Sequence, residues 1–189
     1  MSNLNDYLDQ KRIALAERRK GATDDSAIIS RSVRVKAEGR SGIRRIRIRD
    51  FQIVSDSPPD FAGYDLGPSS PELLLGTLGS CLTHTYLIQA ADLGVPLDSL
   101  EVEVSAQLDP RAGLVGKGHS IFPEGLTYTV HIESPAGTAE TARLRKAVER
   151  ACPVLNFLQA PRPIKGELRH RASPGAAKSQ NGKRRKQAA

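Results

Sequence analysis

The sequence predicts an α+β fold. Three observations carry that expectation: period-two alternation of apolar residues near the N-terminus, the same alternation again after residue 100, and helical or apolar stretches placed without regular strand–helix–strand order. No internal repeat is present. A chain of 189 residues is one domain with tails, long enough to bury a real core. The reading divides it into an N-terminal helix and linker (1–30), a folded domain (31–170) and a basic tail (171–189) expected to be disordered.

Residues 3–20 read as a helix that Ser2 or Asn3 can cap and Gly21 ends, with Leu4, Leu8 and Leu15 near one face. Its other face is charged, so weak packing or packing on a partner subunit is expected. Val33, Val35 and Ala37 then share one face of a strand, with Arg34 and Lys36 opposite. The turn residues Glu38-Gly-Arg-Ser-Gly42 lead to a second strand over Ile43–Val54, so the pair reads as a β-hairpin. Residues 55–70 show no periodicity, and at that length an irregular loop is more often functional than idle.

Residues 72–93 form the most apolar segment, a buried central helix closed by Gly94 and Pro96. Leu100–Leu108 alternates as a strand, a glycine-rich loop spans 109–125, and Leu126–Glu133 is the next strand. Thr138 caps a helix to Ala151, Pro153 interrupts it, Val154–Leu158 continues as a short helix, and Ile164–Leu168 reads as a last strand.

Charge and cysteine usage narrow the function classes. The net charge of +7 is concentrated in the tail, where Lys178, Lys183, Arg184, Arg185 and Lys186 sit among Gly, Ser, Gln and Ala. That pattern reads as a solubilising tail before it reads as a phosphate-binding arm, and eight Tyr and Phe with no Trp offer little for base stacking, so nucleic acid is an unlikely partner. No run approaches the ~18 apolar residues that span a bilayer. Residues 1–10 are polar and carry Asp6 and Asp9, unlike a secretory signal, so a cytoplasmic, membrane-free protein is expected. There a transient disulfide is allowed and a permanent one disfavoured. No spacing offers a zinc site, and no cofactor is expected.

The two cysteines, Cys81 and Cys152, carry the candidate chemistry. Free cysteine often simply fills a core, and composition alone favours that. A reactive thiolate needs a cation, a helix N-terminus or a donor nearby. Cys81 lies about two and a half turns into its helix, beyond the reach of the dipole. From Phe51 to Leu100 there is no Lys or Arg, although six acidic residues are present. A cation must therefore arrive through tertiary structure, and the basic hairpin, with seven Arg and one Lys in 31–49, is the source the sequence offers. Arg44 shares a face with isoleucines and must find a buried partner or bulge outward, whereas Arg40 sits in the turn and can reach over a helix end. His84, three residues after Cys81, reads as an ordinary helix residue, because no orienting third group or oxyanion site is visible. Glu72 stands at the start of the Cys81 helix, where a carboxylate is favourable in any case.

The segment Gly67-Pro-Ser-Ser-Pro-Glu-Leu-Leu-Leu-Gly-Thr-Leu-Gly-Ser-Cys81-Leu-Thr resembles the signature of the OsmC/Ohr family, in which a proline turn opens a long central helix bearing a reactive cysteine. The loop Asp56-Ser-Pro-Pro-Asp-Phe-Ala-Gly-Tyr-Asp and the later Cys152-Pro153-Val154 extend the likeness over about 31–169. This resemblance implies an OsmC-like fold assembled as an intertwined homodimer with active sites at the subunit interface. It implies a cysteine peroxidase reducing organic hydroperoxides, with Cys81 peroxidatic, Cys152 resolving and a dithiol such as a lipoylated protein as reductant. It further implies a thiolate-stabilising arginine from the hairpin, matched best by Arg40 and next by Arg44, and a helix glutamate. In the better-characterised members that glutamate falls ten residues before the cysteine, where this chain has Pro71. Glu72, one residue on, matches a less-characterised branch. The alternative expectation keeps the fold and uses the same pocket to bind a small apolar or thiol ligand without catalysis. A nucleic-acid role for the basic tail is the third.

Overall fold

A computed structural model describes residues 4–172, apart from 24, 25, 27, 113, 115–117, 122 and 161. The expected caps Ser2 and Asn3 and the tail from 173 onward lie outside the described residues. The order of elements is α1 (Leu4–Gly21), β1 (Arg34–Glu38), β2 (Ile43–Ile48), β3 (Phe51–Ser55), α2 (Ser70–Leu93), β4 (Ser99–Gln107), β5 (Glu124–Glu133), α3 (Thr138–Ala151) and α4 (Pro153–Gln159). The mixed α+β class with antiparallel sheets is thus observed.

α2 organises the molecule. Ser69 caps it, accepting from the Glu72 N–H at 3.5 Å while the Glu72 carboxylate takes the Ser69 N–H at 2.7 Å, a reciprocal capping box. Proline in the first turn loses nothing there, because that N–H has no helical acceptor. Gly94 ends the helix in the left-handed region at φ 68°. One flank buries Leu78, Leu82, Tyr86, Ala90 and Ala91 against Leu97, Leu144, Val148, Cys152 and Leu155. α1, β4, α3 and α4 all pack on this helix.

α1 corrects one expectation. It packs on its own protomer: Leu8 is buried in the α2 core, the Arg12 Nε–H donates to Ala91 O at 3.1 Å, Arg19 pairs with Asp92 at 2.6 Å, and the Asn5 side chain accepts from Leu97 N–H at 2.9 Å. A charged face was therefore no sign of weak packing, because its arginines satisfy the C-terminal end of α2.

The N-terminal hairpin is a three-stranded antiparallel meander. The expected single strand 43–54 breaks at Arg49-Asp50, where Arg49 turns left-handed at φ 55° and Ile48 pairs with Phe51. Cross-strand register puts Arg34, Lys36, Arg45 and Arg47 on one face and Val35, Ile46, Ile48, Ile53 and Phe51 on the other. Within the protomer this sheet has no extended packing on any helix or on β4–β5, and Val35, Phe51 and Ile53 are exposed.

β4 and β5 form a separate antiparallel pair whose inward residues, Val102, Val104, Tyr128 and Val130, pack towards the core. Gly79 lets α2 approach β4 closely, since a Cβ there would lie 3.3 Å from Val104 Cγ2. Two smaller corrections follow at the C-terminal end. Gly137, rather than Thr138, is the N-cap of α3. Ile164–Leu168 forms no strand: neither β4 nor β5 pairs with it, and Ile164 and Leu168 stay exposed.

Candidate active site

Proline makes the site. The residue before a proline is driven out of helical geometry, so α3 stops at Ala151 and Cys152 adopts φ −74°, ψ 110°. Pro153 then starts α4 at a position that needs no N–H. The Asn156 side chain holds the break, donating to the carbonyls of Glu149 at 2.9 Å and Cys152 at 2.8 Å. The kink turns the Cys152 side chain fully into the core, where its Sγ lies 3.5 Å from Cys81 Sγ. Both thiols are free, and forming a disulfide requires closing by about 1.5 Å from that separation.

Cys81 is half-buried, whereas Cys152 is enclosed, so the Cys81 sulfur is the more accessible of the two. Burial pushes the Cys81 thiol above its ordinary range, and the neighbouring Cys152 adds to that. The backbone N–H of Val154, in the first turn of α4, and the Thr85 hydroxyl oppose it. Burial wins within one protomer. The Val154 donor was not foreseen from sequence; the Cys-Pro break was the available signal, since it leaves helix N–H groups unpaired beside the cysteine.

The other candidate residues fall elsewhere. Arg40 is exposed in the β1–β2 turn and has no hydrogen-bond partner among the described residues. Arg44 finds the partner its position demanded: its guanidinium donates to Asp56 O at 2.6 Å, Ser55 Oγ at 3.1 Å and Ser57 Oγ at 3.3 Å. It anchors the 55–67 loop. Buried Asp56 supports the same loop by accepting from Tyr64 N–H at 3.0 Å and Leu66 N–H at 3.2 Å. Those backbone donors and that of Ser57, chiefly the last, hold its carboxyl below the usual range. Gly63 and Gly67 pass so close to the Ser57 and Val54 carbonyls that neither position has room for a Cβ. Glu72 is committed to the capping box, where Ser69 lowers its pKa. His84 is exposed.

A long apolar helix bearing a half-exposed cysteine over a buried one matches what the resemblance to the OsmC-like class implied, and the comparisons place the chain in that class. The family profile described as OsmC-like protein matches residues 63–167, more than half the chain, so this protein belongs to that family. Among curated proteins no sequence matches it. Solved structures do. An OsmC-like protein from Mycoplasma pneumoniae aligns at TM-score 0.60 and 19% identity, covering 71% of this chain and 91% of that one. A protein from Psychrobacter arcticus described as a putative osmotic stress induced and detoxification response protein aligns at TM-score 0.54 and 16% identity, covering 71% and 90%. The organic hydroperoxide resistance protein OhrB of Bacillus subtilis aligns at TM-score 0.50 and 19% identity, covering 71% and 94%. At these identities the likeness is one of fold. Among the described residues no helix is long and apolar enough to cross a membrane.

Proposed function

We propose that this protein is a homodimeric thiol peroxidase that reduces organic hydroperoxides through Cys81 and Cys152. The 3.5 Å approach of the two sulfurs, one half-exposed and one buried, is the observation that carries the reading. The Cys81 thiolate attacks the distal peroxide oxygen; an S–O bond forms, the O–O bond breaks, and the alkoxide leaves as the alcohol after taking a proton. Cys152 then attacks the Cys81 sulfenic acid, the S–S bond forms, and water departs. Two electrons pass from the thiol pair to the peroxide, and a dithiol of the lipoyl type restores the pair by exchange.

Dimerisation fits two features. The sheet β1–β3 leaves its apolar face open, and a contiguous exposed apolar face of this kind marks an interaction surface. α2 is apolar nearly all round, as buried helices are, yet Leu74 on its outer side is 39% exposed. A second copy covering both would bring an Arg40 turn near a Cys81 that lacks a cation in its own protomer. The 55–67 loop, carrying exposed Phe61, Tyr64 and Leu66, then supplies apolar surface for the organic part of the substrate.

Turnover of cumene hydroperoxide with dihydrolipoamide tests the reading. Cys81→Ser is expected to abolish it, and Cys152→Ser to leave a single turnover ending at sulfenic acid. Multiple turnovers by Cys81→Ser would overturn it. One observation favours the non-catalytic reading, namely the upward shift of Cys81 in the isolated protomer. A Cys81 that remains unreactive near neutral pH in the assembled protein would select ligand binding instead.

A further inference from the structure

Between β5 and α3 the protomer holds another pocket, of about 620 Å³, within the range of small-ligand sites. Neither cysteine lines it. Tyr86, five residues after Cys81, points about 140° away from it around α2, so this pocket opens on a different flank of the helix.

Tyr86 is the reason to look there. It is 1% exposed, lines the pocket, and has no hydrogen-bond partner among the described residues. A buried phenol ordinarily finds a partner, because leaving it without one costs about 1–3 kcal/mol. Among the described residues, the sealed side-chain polar atoms without partners are Arg44 Nε and Arg45 Nε. The Tyr86 oxygen is not among them, so what exposure the residue keeps lies at its hydroxyl, facing the pocket. Burial, with Tyr128 and Glu149 adding and Arg145 opposing, pushes Tyr86 up to about 12, which keeps it a neutral donor at working pH.

Beside it, Arg145 also lines the pocket. Its Nε donates to Glu149 at 2.8 Å, and the Tyr128 hydroxyl donates to the same carboxylate at 2.9 Å. Tyr128 and Glu149 both hold the Arg145 guanidinium, which remains exposed on the pocket side of α3. The remaining walls are mixed: Val130, Ile132, Ala136 and Ala142 are apolar, and Thr129, Ser134, Thr138 and Thr141 carry hydroxyls. The α3 N-terminus is not the attraction, since Glu140 already takes the Gly137 N–H at 3.1 Å.

We infer that this pocket binds a small organic monocarboxylate, its head accepting from the Tyr86 hydroxyl and the Arg145 guanidinium and its apolar body lying on Val130, Ile132 and Ala136. The site does not depend on the chemistry of the cysteines.

Calorimetric titration of the full chain with sodium octanoate tests it. Saturable binding is expected, weakened about tenfold by Tyr86→Phe, which removes one hydrogen bond and keeps the ring, and by a similar factor in Arg145→Gln. Cys81→Ser should bind as the parent does, and circular dichroism checks that each variant is folded. Absence of saturable octanoate binding, or equal affinity in the parent and both variants, would overturn the site. Octanamide binding as tightly as octanoate would overturn the carboxylate assignment.

Discussion

Around α2, apolar side chains close on one another: Leu82, Leu97, Leu144 and Val148 are fully buried, and even the charged helix α1 serves that core by satisfying the end of α2. In the sheet β1–β3 the same kind of side chain stays open, with Val35 at 58%, Ile53 at 39% and Phe51 at 63% exposure. α2 is apolar nearly all round, whereas the sheet is apolar on one face and basic on the other, and the two regions also differ in what surrounds them. The helical half contains its own partner surfaces. The sheet does not among the described residues, and the proposed second copy of the chain would cover its apolar face.

Substitutions placed in one region or the other test this difference. Leu82→Ala, in the closed core, is expected to cost about 2–5 kcal/mol of unfolding free energy, read by denaturant titration, because it opens a cavity among immobile neighbours. Ile53→Asp, on the open face, is expected to turn a dimer into a monomer in analytical ultracentrifugation. A loss of monomer folding as severe as that of Leu82→Ala, with no change of assembly, would show that the sheet belongs to the protomer core. Next in size, Arg44→Met leaves Asp56 O, Ser55 Oγ and Ser57 Oγ without their donor at the seam between sheet and loop. About 1–3 kcal/mol is expected, together with faster amide exchange over the 55–67 loop.

Much of this was visible in the residues. The capped, apolar α2, the strands of alternating pattern and the helix break before Pro153 all follow from local rules, and they place both cysteines on elements that meet. Arg44 announced its need of a partner by sharing a face with isoleucines, but which groups met it depended on how the 55–67 loop folds back. The Arg49-Asp50 turn was hidden because an arginine rarely signals a left-handed conformation. The expected strand at 164–168 is not formed although its alternation is real, since alternation alone does not fix which edge a segment pairs with, and here it pairs with none of the described strands. The Val154 N–H beside Cys81 carries no side-chain signature, and nothing in the sequence sets Tyr86 apart from the other residues of α2.

Protonation links the two regions. Within one protomer the folded Cys81 has a pKa above its unfolded value, so its neutral form is favoured by folding. That contribution is present below the ordinary thiol range and is lost as pH rises through the raised folded value. If the sheet of a second copy supplies a cation, the shift reverses, and Cys81 alkylation by iodoacetamide in the dimer should already be fast near pH 7. In the monomeric Ile53→Asp variant the same reaction should require a pH above the ordinary thiol range.

The most direct test is mass spectrometry of the full chain after one equivalent of cumene hydroperoxide, with digestion under non-reducing, alkylating conditions. The account predicts an intramolecular disulfide joining the Cys81 and Cys152 peptides, formed before any reductant is added. Recovery of both cysteines as alkylated thiols, or of Cys81 as a stable sulfenic or sulfinic acid with Cys152 still free, would contradict it.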